Sequence, residues 1–241
     1  MRGMLRAVDD AVTDPGDTDH RDAAPQYVLP LVVRLERDAP PERTDALEAS
    51  ARAVLAFLTD PRSTEPAGEW HGAVTAWTDG RIRKVVRRAR GAQWHRAETL
   101  PGLTLSHRTA TVRVFPPVPL DGWPADLARL QVGGTDFDDT EPPAAPAAGT
   151  PVLWLNPALA MTAGKAMAQT GHGAQLTYAA LPAPAREIWA DAGFPLAVRT
   201  ATPAGWRRVA AAGLPVVHDA GFTEIPANSA TVIGDHPALH H

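Results

Sequence analysis

Residues 151–180 encode a strand followed by a long helix, and they read PVLWLNPALAMTAGKAMAQTGHGAQLTYAA. The apolar run Val152–Leu155 predicts a short buried strand. Thr162 is a residue type that caps helix N-termini, and a helical pattern extends over 162–180. This stretch therefore predicts the first strand–helix unit of an α/β fold.

The chain after this stretch continues the alternation of helices and strands. Gly193 and Gly213 stand where two of the predicted helices end. The further predicted elements are a helix over 183–192, a strand over 196–200, a helix over 203–212 and strands over 215–218 and 230–233. Strands that alternate with helices predict a layered α/β domain over 151–241.

The chain before residue 120 carries a comparable series of elements. They are a strand over 27–35, a helix over 42–58, strand-like runs over 72–77 and 82–88, a short helix around Trp94 and a strand over 109–115. The two strand-like runs flank Asp79-Gly80, a turn signal that predicts a hairpin. This half is therefore also predicted to be an α/β domain.

The two halves match each other at a fixed offset. Residues 85–87 (VVR), with Trp94 behind them, match 197–199 (AVR), with Trp206 behind them, at an offset of 112 residues. A degenerate internal copy explains such matches. Chance matching in a chain rich in Ala and Arg explains them as well, so both interpretations stay open.

Composition restricts the kind of site that the chain can hold. There is no Cys among the 241 residues, which excludes a disulfide framework, a thiolate metal site and a cysteine nucleophile. No run approaches the roughly 20 apolar residues of a membrane helix and no export signal is evident, so we expect a cytoplasmic protein without membrane contact. Only two of the 23 basic residues are lysines, Lys84 and Lys165, which favours a functional need for each of them.

Charge and proline content divide the chain into four predicted segments. Residues 1–26 are rich in Asp without apolar periodicity, which predicts a disordered acidic arm. Residues 120–150 form a Pro/Ala-rich acidic linker. The linker separates a first domain over 27–119 from a second domain over 151–241.

Polar residues recur along one stripe of the long helix in the second domain. Lys165, Gln169 and His172 are spaced i, i+4 and i+7. They form either an exposed polar face or part of an anion site at the helix start. Asp219 follows a strand, where it is either a turn residue or a ligand-binding group. An ammonium and a carboxylate that converge there can orient water and stabilise negative charge, as ester hydrolysis requires.

Three motifs in order make the second domain similar to a known family. They are GKAMAQTGHGA at 164–174, DAGFTEI at 219–225 and SATV at 229–232. Over 151–237 the chain resembles the type 2 peptidyl-tRNA hydrolases. The resemblance implies a three-layer α/β/α domain with a mixed four-stranded sheet, which is often dimeric. It also implies hydrolysis of the ester between a peptide and the 3′ end of tRNA, without a metal or a cofactor.

The resemblance further implies a set of catalytic residues. They are Lys165, Gln169, His172, Asp219, Thr223 and Thr231. Asp219 would orient or activate water, and Lys165 would stabilise the oxyanion or hold the terminal phosphate. Two departures occur, because Gly173 stands where the family commonly has Ala and Phe222 stands where a basic residue is frequent.

The first domain lacks these motifs. At an offset of 120 residues Asp45 stands opposite Lys165, and Arg108 falls near the position of Asp219. Such a copy cannot perform the chemistry, but it can take the place of a second subunit. We therefore expect a monomer with an internal pseudo-dimer, and a homodimer is the alternative.

A basic stretch in the first domain suits an RNA partner. Residues 81–113 hold nine basic residues and one acidic residue. They form either a solvated strand face or a track for the phosphate groups of RNA. The candidate RNA-binding residues are Arg81, Arg83, Lys84, Arg87, Arg88 and Arg90.

Together the residues and the resemblance predict a peptidyl-tRNA hydrolase that recycles tRNA in translation. One alternative is a non-catalytic RNA- or protein-binding module that retains the hydrolase fold. Another alternative is a hydrolase of a different small ester or amide. The joint presence of Lys165, Gln169, Asp219 and Thr223 favours an enzyme, because a module that has lost catalysis has no chemical reason to keep this set.

Overall fold

The computed structural model describes residues 25–219 and 225–240, so nearly all of the predicted arm over 1–26 lies outside the described residues, as does Thr223. Within these ranges the strands are β1 (Tyr27–Arg34), β2 (Lys84–Ala89), β3 (Leu103–His107), β4 (Ala110–Val114), β5 (Val118–Pro119), β6 (Val152–Leu155), β7 (Ala197–Thr200), β8 (Val216–His218) and β9 (Ala230–Asp235). The α-helices are α1 (Arg43–Thr59), α2 (Pro61–Thr64), α3 (His71–Asp79), α4 (Ala92–Glu98), α5 (Ala125–Ala128), α6 (Ala163–Ala180), α7 (Ala183–Asp191) and α8 (Pro203–Ala210). None of these helices is long and apolar enough to cross a bilayer.

The strands form two sheets with the same strand order. The order is β2-β1-β4-β3 in the first sheet and β7-β6-β9-β8 in the second, and β5 also pairs with the start of β1. In each sheet the first two strands of that order are parallel and the other neighbours are antiparallel. The predicted α/β fold is confirmed, including the mixed four-stranded sheet of the second half and a similar first half.

Strand register defines which residues of the two halves are equivalent. The same residue of β1 pairs with Val86 on one side and with Val114 on the other. In the same way, one residue of β6 pairs with Val198 on one side and with Gly234 on the other. Val86 and Val198 are 112 residues apart, and Val114 and Gly234 are 120 residues apart. The offsets found in the sequence are therefore also the offsets between equivalent strands.

Helices α1 and α6 lie side by side between the two sheets. Leu31 of β1, Met167 of α6 and Leu153 of β6 belong to one shared apolar core. A smaller cluster around Trp94 of α4 covers the outer face of the first sheet, and Val209 of α8 packs on the outer face of the second. Each half is consequently a three-layer α/β/α unit, and the inner helical layers of the two units are in contact.

The contact between α1 and α6 is reciprocal. Ser50 Oγ donates to the Met167 carbonyl at 2.9 Å, and Thr170 Oγ1 lies 3.4 Å from the Leu47 carbonyl. Ser50 and Thr170 are 120 residues apart, as are Leu47 and Met167. The two contacts are thus the same contact made from either half, which is the pattern of a two-fold isologous interface.

The hairpin predicted over 72–88 is wrong in its first arm. That arm belongs to helix α3, and β2 lies parallel to β1. Trp70, Val74 and Trp77 are all buried in one core, a spacing that suits one face of a helix. A strand would turn alternate residues to opposite faces. The Asp-Gly pair therefore ends a helix and does not turn a hairpin.

Residues 120–150, expected as a linker, lie against both halves. Asp139 caps the start of α1, because its carboxylate accepts the Thr44 amide at 2.7 Å and the Thr44 hydroxyl at 2.6 Å. The Ala144 carbonyl accepts a hydrogen bond from Arg199 Nε of β7 at 2.9 Å. This acidic, Pro-rich segment therefore contains a residue with a defined structural role, because the negative charge of Asp139 lies at the N-terminus of α1.

A helical glycine tests how closely α6 packs on the second sheet. A Cβ atom at Gly173 would lie 2.7 Å from Val232 Cγ1, so we expect Gly173→Ala to lower the free energy of unfolding by about 1–3 kcal/mol. Gly72→Ala in α3 is the matched control, because a Cβ atom there meets nothing within 4 Å. That variant should gain up to about 1 kcal/mol from helix propensity. Urea denaturation measures both, and equal changes in the two variants would contradict the close packing.

Candidate active site

The candidate site lies where the start of α6 meets β8 and β9. The Thr162 hydroxyl oxygen caps α6 and accepts the Lys165 amide hydrogen at 3.3 Å, which places Lys165 in the first helical turn. Asp219 directly follows β8, and Thr231 lies on β9. Because β8 and β9 pair with each other and α6 packs on both, side chains from all three elements meet.

A chain of hydrogen bonds connects four of these side chains. Lys165 Nζ forms an ion pair with Asp219 Oδ2. Gln169 Nε2 donates to the same oxygen at 2.8 Å, and Thr231 Oγ1 donates to Gln169 Oε1 at 2.7 Å. The Asp219 carboxylate fixes the amide orientation of Gln169, because only its Nε2 can donate to a carboxylate. The ion pair is largely buried, with side-chain exposures of 14% for Lys165 and 6% for Asp219.

A β-bulge turns Thr231 towards this group. Val217 pairs with Val232, but the next residue, His218, pairs with Ala230. Thr231 is therefore the extra residue of the bulge, a feature that redirects side chains next to functional sites. Its hydroxyl also lies 3.2 Å from the Val217 carbonyl, and the whole residue is buried.

The main chain holds Asp219 from both sides. The Asp219 amide donates to the Ser229 carbonyl at 3.0 Å, and the Asp219 carbonyl accepts the Asn228 amide hydrogen at 2.7 Å. The following residues, 220–224, lie outside the described part of the chain. The carboxylate is thus anchored by its own peptide groups as well as by Lys165 and Gln169.

His172 lies apart from this chain of hydrogen bonds. It is half-buried on α6, about one turn beyond Gln169. Burial, and then the charge of Lys84, holds the pKa of His172 well below its usual range. The predicted catalytic residues that hydrogen bonds join are Lys165, Gln169, Asp219 and Thr231. The position of Thr223 is outside the described residues.

Two of the predicted RNA-binding residues hold segment 120–150 against β2. Arg87 donates to the Ala128 carbonyl at 3.2 Å, and its guanidinium lies 4.2 Å from the centre of the Trp123 ring. Arg88 Nε donates to the Gly133 carbonyl at 2.9 Å. Burial lowers the pKa of Arg87. No sequence signal distinguishes these arginines from their neighbours, because their partners are main-chain carbonyls more than 40 residues away.

The other predicted RNA-binding residues occupy different environments. Arg81 and Arg83 are half-buried before β2, and Arg90 is exposed after it. Lys84 reaches to α6, where its Nζ donates to Gln175 Oε1 at 2.7 Å. The basic stretch is therefore not one uniform cationic surface.

The equivalent place in the first half holds an ion pair of opposite polarity. Arg108 Nη1 lies 3.4 Å from Asp45 Oδ1. Asp45 is the counterpart of Lys165 at the offset of 120 residues, and the registers of β3 and β8 make Arg108 the counterpart of Asp219. In the first half, helix α1 supplies the anion, Asp45, and the residue after β3 supplies the cation, Arg108. At the position that Asp219 has in the candidate site, the first half therefore has an arginine and no carboxylate.

Glu48 connects this same place to the second half. Its Oε1 accepts a hydrogen bond from Arg199 Nη1 of β7 at 2.7 Å, and its Oε2 lies 3.0 Å from His107 Nε2. Among the described residues, Asp45, Glu48 and His107 form the one group with the side-chain types of a metal site, with ligand atoms within 4.8 Å of one another. Their carboxylates already contact Arg108 and Arg199, so guanidinium groups of the protein neutralise the cluster.

The candidate site combines the groups that acyl hydrolysis uses. A carboxylate can orient water and take its proton. An ammonium beside a helix N-terminus can stabilise the negative charge that develops on a carbonyl oxygen. Lys165 and Gln169 both bind Oδ2 of Asp219, so together they fix the plane of the carboxylate.

Comparisons of the chain with family models, with curated proteins and with solved structures give no match. The function is therefore inferred from the residues of the candidate site and from their geometry.

The lowered pKa of His172 makes stability depend on pH. An unfolded chain protonates this imidazole as the pH falls through about 6.5, whereas the folded protein takes up the proton only at lower pH. The free energy of unfolding should therefore fall as the pH drops below about 6.5, and it should fall less in His172→Gln. Denaturant titrations across this range measure the effect, with His218→Gln at an exposed histidine as the control. A His172 ring that titrates near 6.5 in NMR spectra would contradict the burial.

Proposed function

We propose that this protein is a peptidyl-tRNA hydrolase, which cleaves the ester between a peptide and the 3′ end of tRNA and so recycles tRNA in translation. The observation that carries the proposal is the chain of hydrogen bonds through Thr231, Gln169, Asp219 and Lys165. These residues come from motifs that resemble the type 2 hydrolases, and they converge from three elements. Residues that matched the motifs by chance would have no physical reason to converge in one buried group.

In the proposed mechanism Asp219 holds a water molecule and takes its proton while the water oxygen attacks the ester carbonyl carbon. Lys165 and the N-terminus of α6 stabilise the negative charge on the carbonyl oxygen. The bond between that carbon and the 3′ oxygen then breaks. The 3′ oxygen takes the proton from Asp219 and leaves as a hydroxyl, and the peptide leaves as a carboxylic acid. Gln169 and Thr231 are positioning residues, because they hold the carboxylate in place.

The proposed substrate implies a tRNA partner and a cytoplasmic location. A peptidyl-tRNA is a product of translation, so we expect the protein in the cytoplasm. Contacts to the phosphate groups of tRNA are proposed for Arg81, Arg83, Lys84 and Arg90, whereas Arg87 and Arg88 hold segment 120–150. No metal or cofactor has a role in this proposal, because a carboxylate and an ammonium supply the base and the oxyanion stabilisation.

Hydrolysis of an N-acylated aminoacyl-tRNA tests the proposed function. We expect release of the N-acyl amino acid, and a loss of at least about 100-fold in turnover for Asp219→Asn and for Lys165→Ala. Arg108→Ala is the matched control, since it removes a charge from the equivalent ion pair of the first half. Its turnover should match the wild type. Circular dichroism checks that each variant is folded, because breaking a buried ion pair lowers stability by about 3–5 kcal/mol.

The same assay separates the alternative functions. Binding of tRNA without turnover would contradict the hydrolase and favour a non-catalytic RNA-binding module. Turnover that is equally fast on a small N-acyl amino acid ester would contradict the tRNA substrate and favour a different small ester. Wild-type turnover in both site variants would remove Asp219 and Lys165 from the mechanism.

We also propose that the protein works as a monomer. The two halves make with each other, within one chain, the isologous contact that a symmetric dimer makes between two chains. Static light scattering is therefore expected to give a mass near 25.6 kDa at all concentrations. A mass of twice this value would contradict the internal pseudo-dimer and favour a homodimer.

A further inference from the structure

A second polar cluster lies on α6 beyond the candidate site. Lys84, one of only two lysines in the chain, extends from β2 of the first half to α6 of the second. Its Nζ donates to Gln175 Oε1 at 2.7 Å and lies 4.9 Å from the centre of the Trp77 ring. A Cβ atom at Gly171 would lie 3.6 Å from Lys84 Cδ, so the lysine stem passes within van der Waals contact of α6.

Within the described part of the chain, the charge of Lys84 has no partner of opposite sign. Gln175 is a neutral acceptor, and no ion pair joins Lys84 to a carboxylate among residues 25–219 and 225–240. Burial holds the pKa of Lys84 well below its usual range. A group in this state disfavours its own charged form, and an incoming anion removes that penalty.

The architecture does not require a polar pair at this place. The counterpart of Lys84 at the offset of 112 residues is Leu196, and the counterpart of Gln175 at the offset of 120 residues is Leu55. Both leucines are buried in the shared core. The same packing of strand and helix is therefore filled by apolar side chains in one copy, so packing alone does not require Lys84 and Gln175.

The cluster continues the polar stripe of the candidate site. His172 lies between the two places on α6, and the charge of Lys84 is one cause of its lowered pKa. Gln169 and Gln175 are six residues apart, or about 9 Å along the helix axis. Lys84 and His172 both keep part of their surface exposed. A short single strand of RNA can span this distance with a phosphate group towards the ammonium of Lys84.

We propose that Lys84, His172 and Gln175 form a phosphate-binding subsite for the single-stranded 3′ end of the tRNA, to which the first half contributes the cation. This inference rests on the proposed function, since it places the ester at Lys165 and Asp219. The first half is then more than a substitute for a second subunit. It supplies a cation for the RNA strand that reaches the catalytic residues.

Binding of short nucleotides tests the subsite without any hydrolysis. The probes are the trinucleotide CCA, which has two phosphodiester groups, and adenosine, which has none. The variant is Lys84→Leu combined with Gln175→Leu, because this apolar pair occurs at the equivalent place and is expected to fold. Arg208→Leu, at an exposed cation on α8, is the matched control. Calorimetry measures each affinity, and thermal unfolding measures stability.

We expect the double variant to lose at least about 10-fold in affinity for CCA, the scale of a charge-assisted hydrogen bond. The slope of log affinity against log salt should fall by about 0.7. Adenosine binding and the Arg208→Leu protein should stay as in the wild type. The thermal midpoint of the double variant should be unchanged or higher, because a buried charge has been removed.

Three results would overturn the subsite. The first is a double variant that binds CCA with wild-type affinity. The second is a loss of affinity for adenosine as large as the loss for CCA. The third is an equal loss of affinity for CCA in Arg208→Leu. Failure of the subsite and failure of the proposed function are distinguishable. If the wild type hydrolyses the substrate and the double variant binds CCA as the wild type does, only the subsite is contradicted. Lys84-dependent binding of CCA without hydrolysis supports the subsite and removes the enzyme.

Discussion

The contact between α1 and α6 is the constraint on which the rest of the structure depends. Gly171 permits it, because a Cβ atom there would lie 3.0 Å from Val54 Cγ2. The reciprocal contacts of Ser50 and Thr170 then align the two helices about a two-fold axis. With the helices in the middle, each sheet covers one side, and one end of α6 reaches β8 and β9. The candidate site forms at that end.

Fusing two similar halves in one chain lets equivalent places change independently. In a homodimer every substitution occurs at both places, so a reversed ion pair would appear twice. Here Lys165 and Asp219 have the counterparts Asp45 and Arg108, which carry the opposite charges. One place can therefore keep a carboxylate suited to catalysis, while Glu48 and its arginine partner tie the other place to the second half.

Local patterns predicted most elements correctly, since helix and strand periodicity, caps and glycine ends act over a few residues. The error over 72–77 shows the limit of this information. A run of small and apolar residues fits a strand and a helix equally well, and only burial of Trp70 and Trp77 in the same core decides for the helix. Strand β3 was not predicted, because its pairing with β4 matters more than its own pattern.

The sequence by itself determined the α/β class, and it singled out Lys165, Gln169, Asp219 and Thr231, which the structure brings together. It also indicated the two offsets between the halves. These follow from periodicity, from short motifs and from the scarcity of lysine. Only the tertiary structure decided that Arg87 and Arg88 bind main-chain carbonyls and that Lys84 reaches α6. These partners are 41 to 91 residues distant in the chain. Which of them meet depends on strand register and helix packing, and no local pattern encodes either of these.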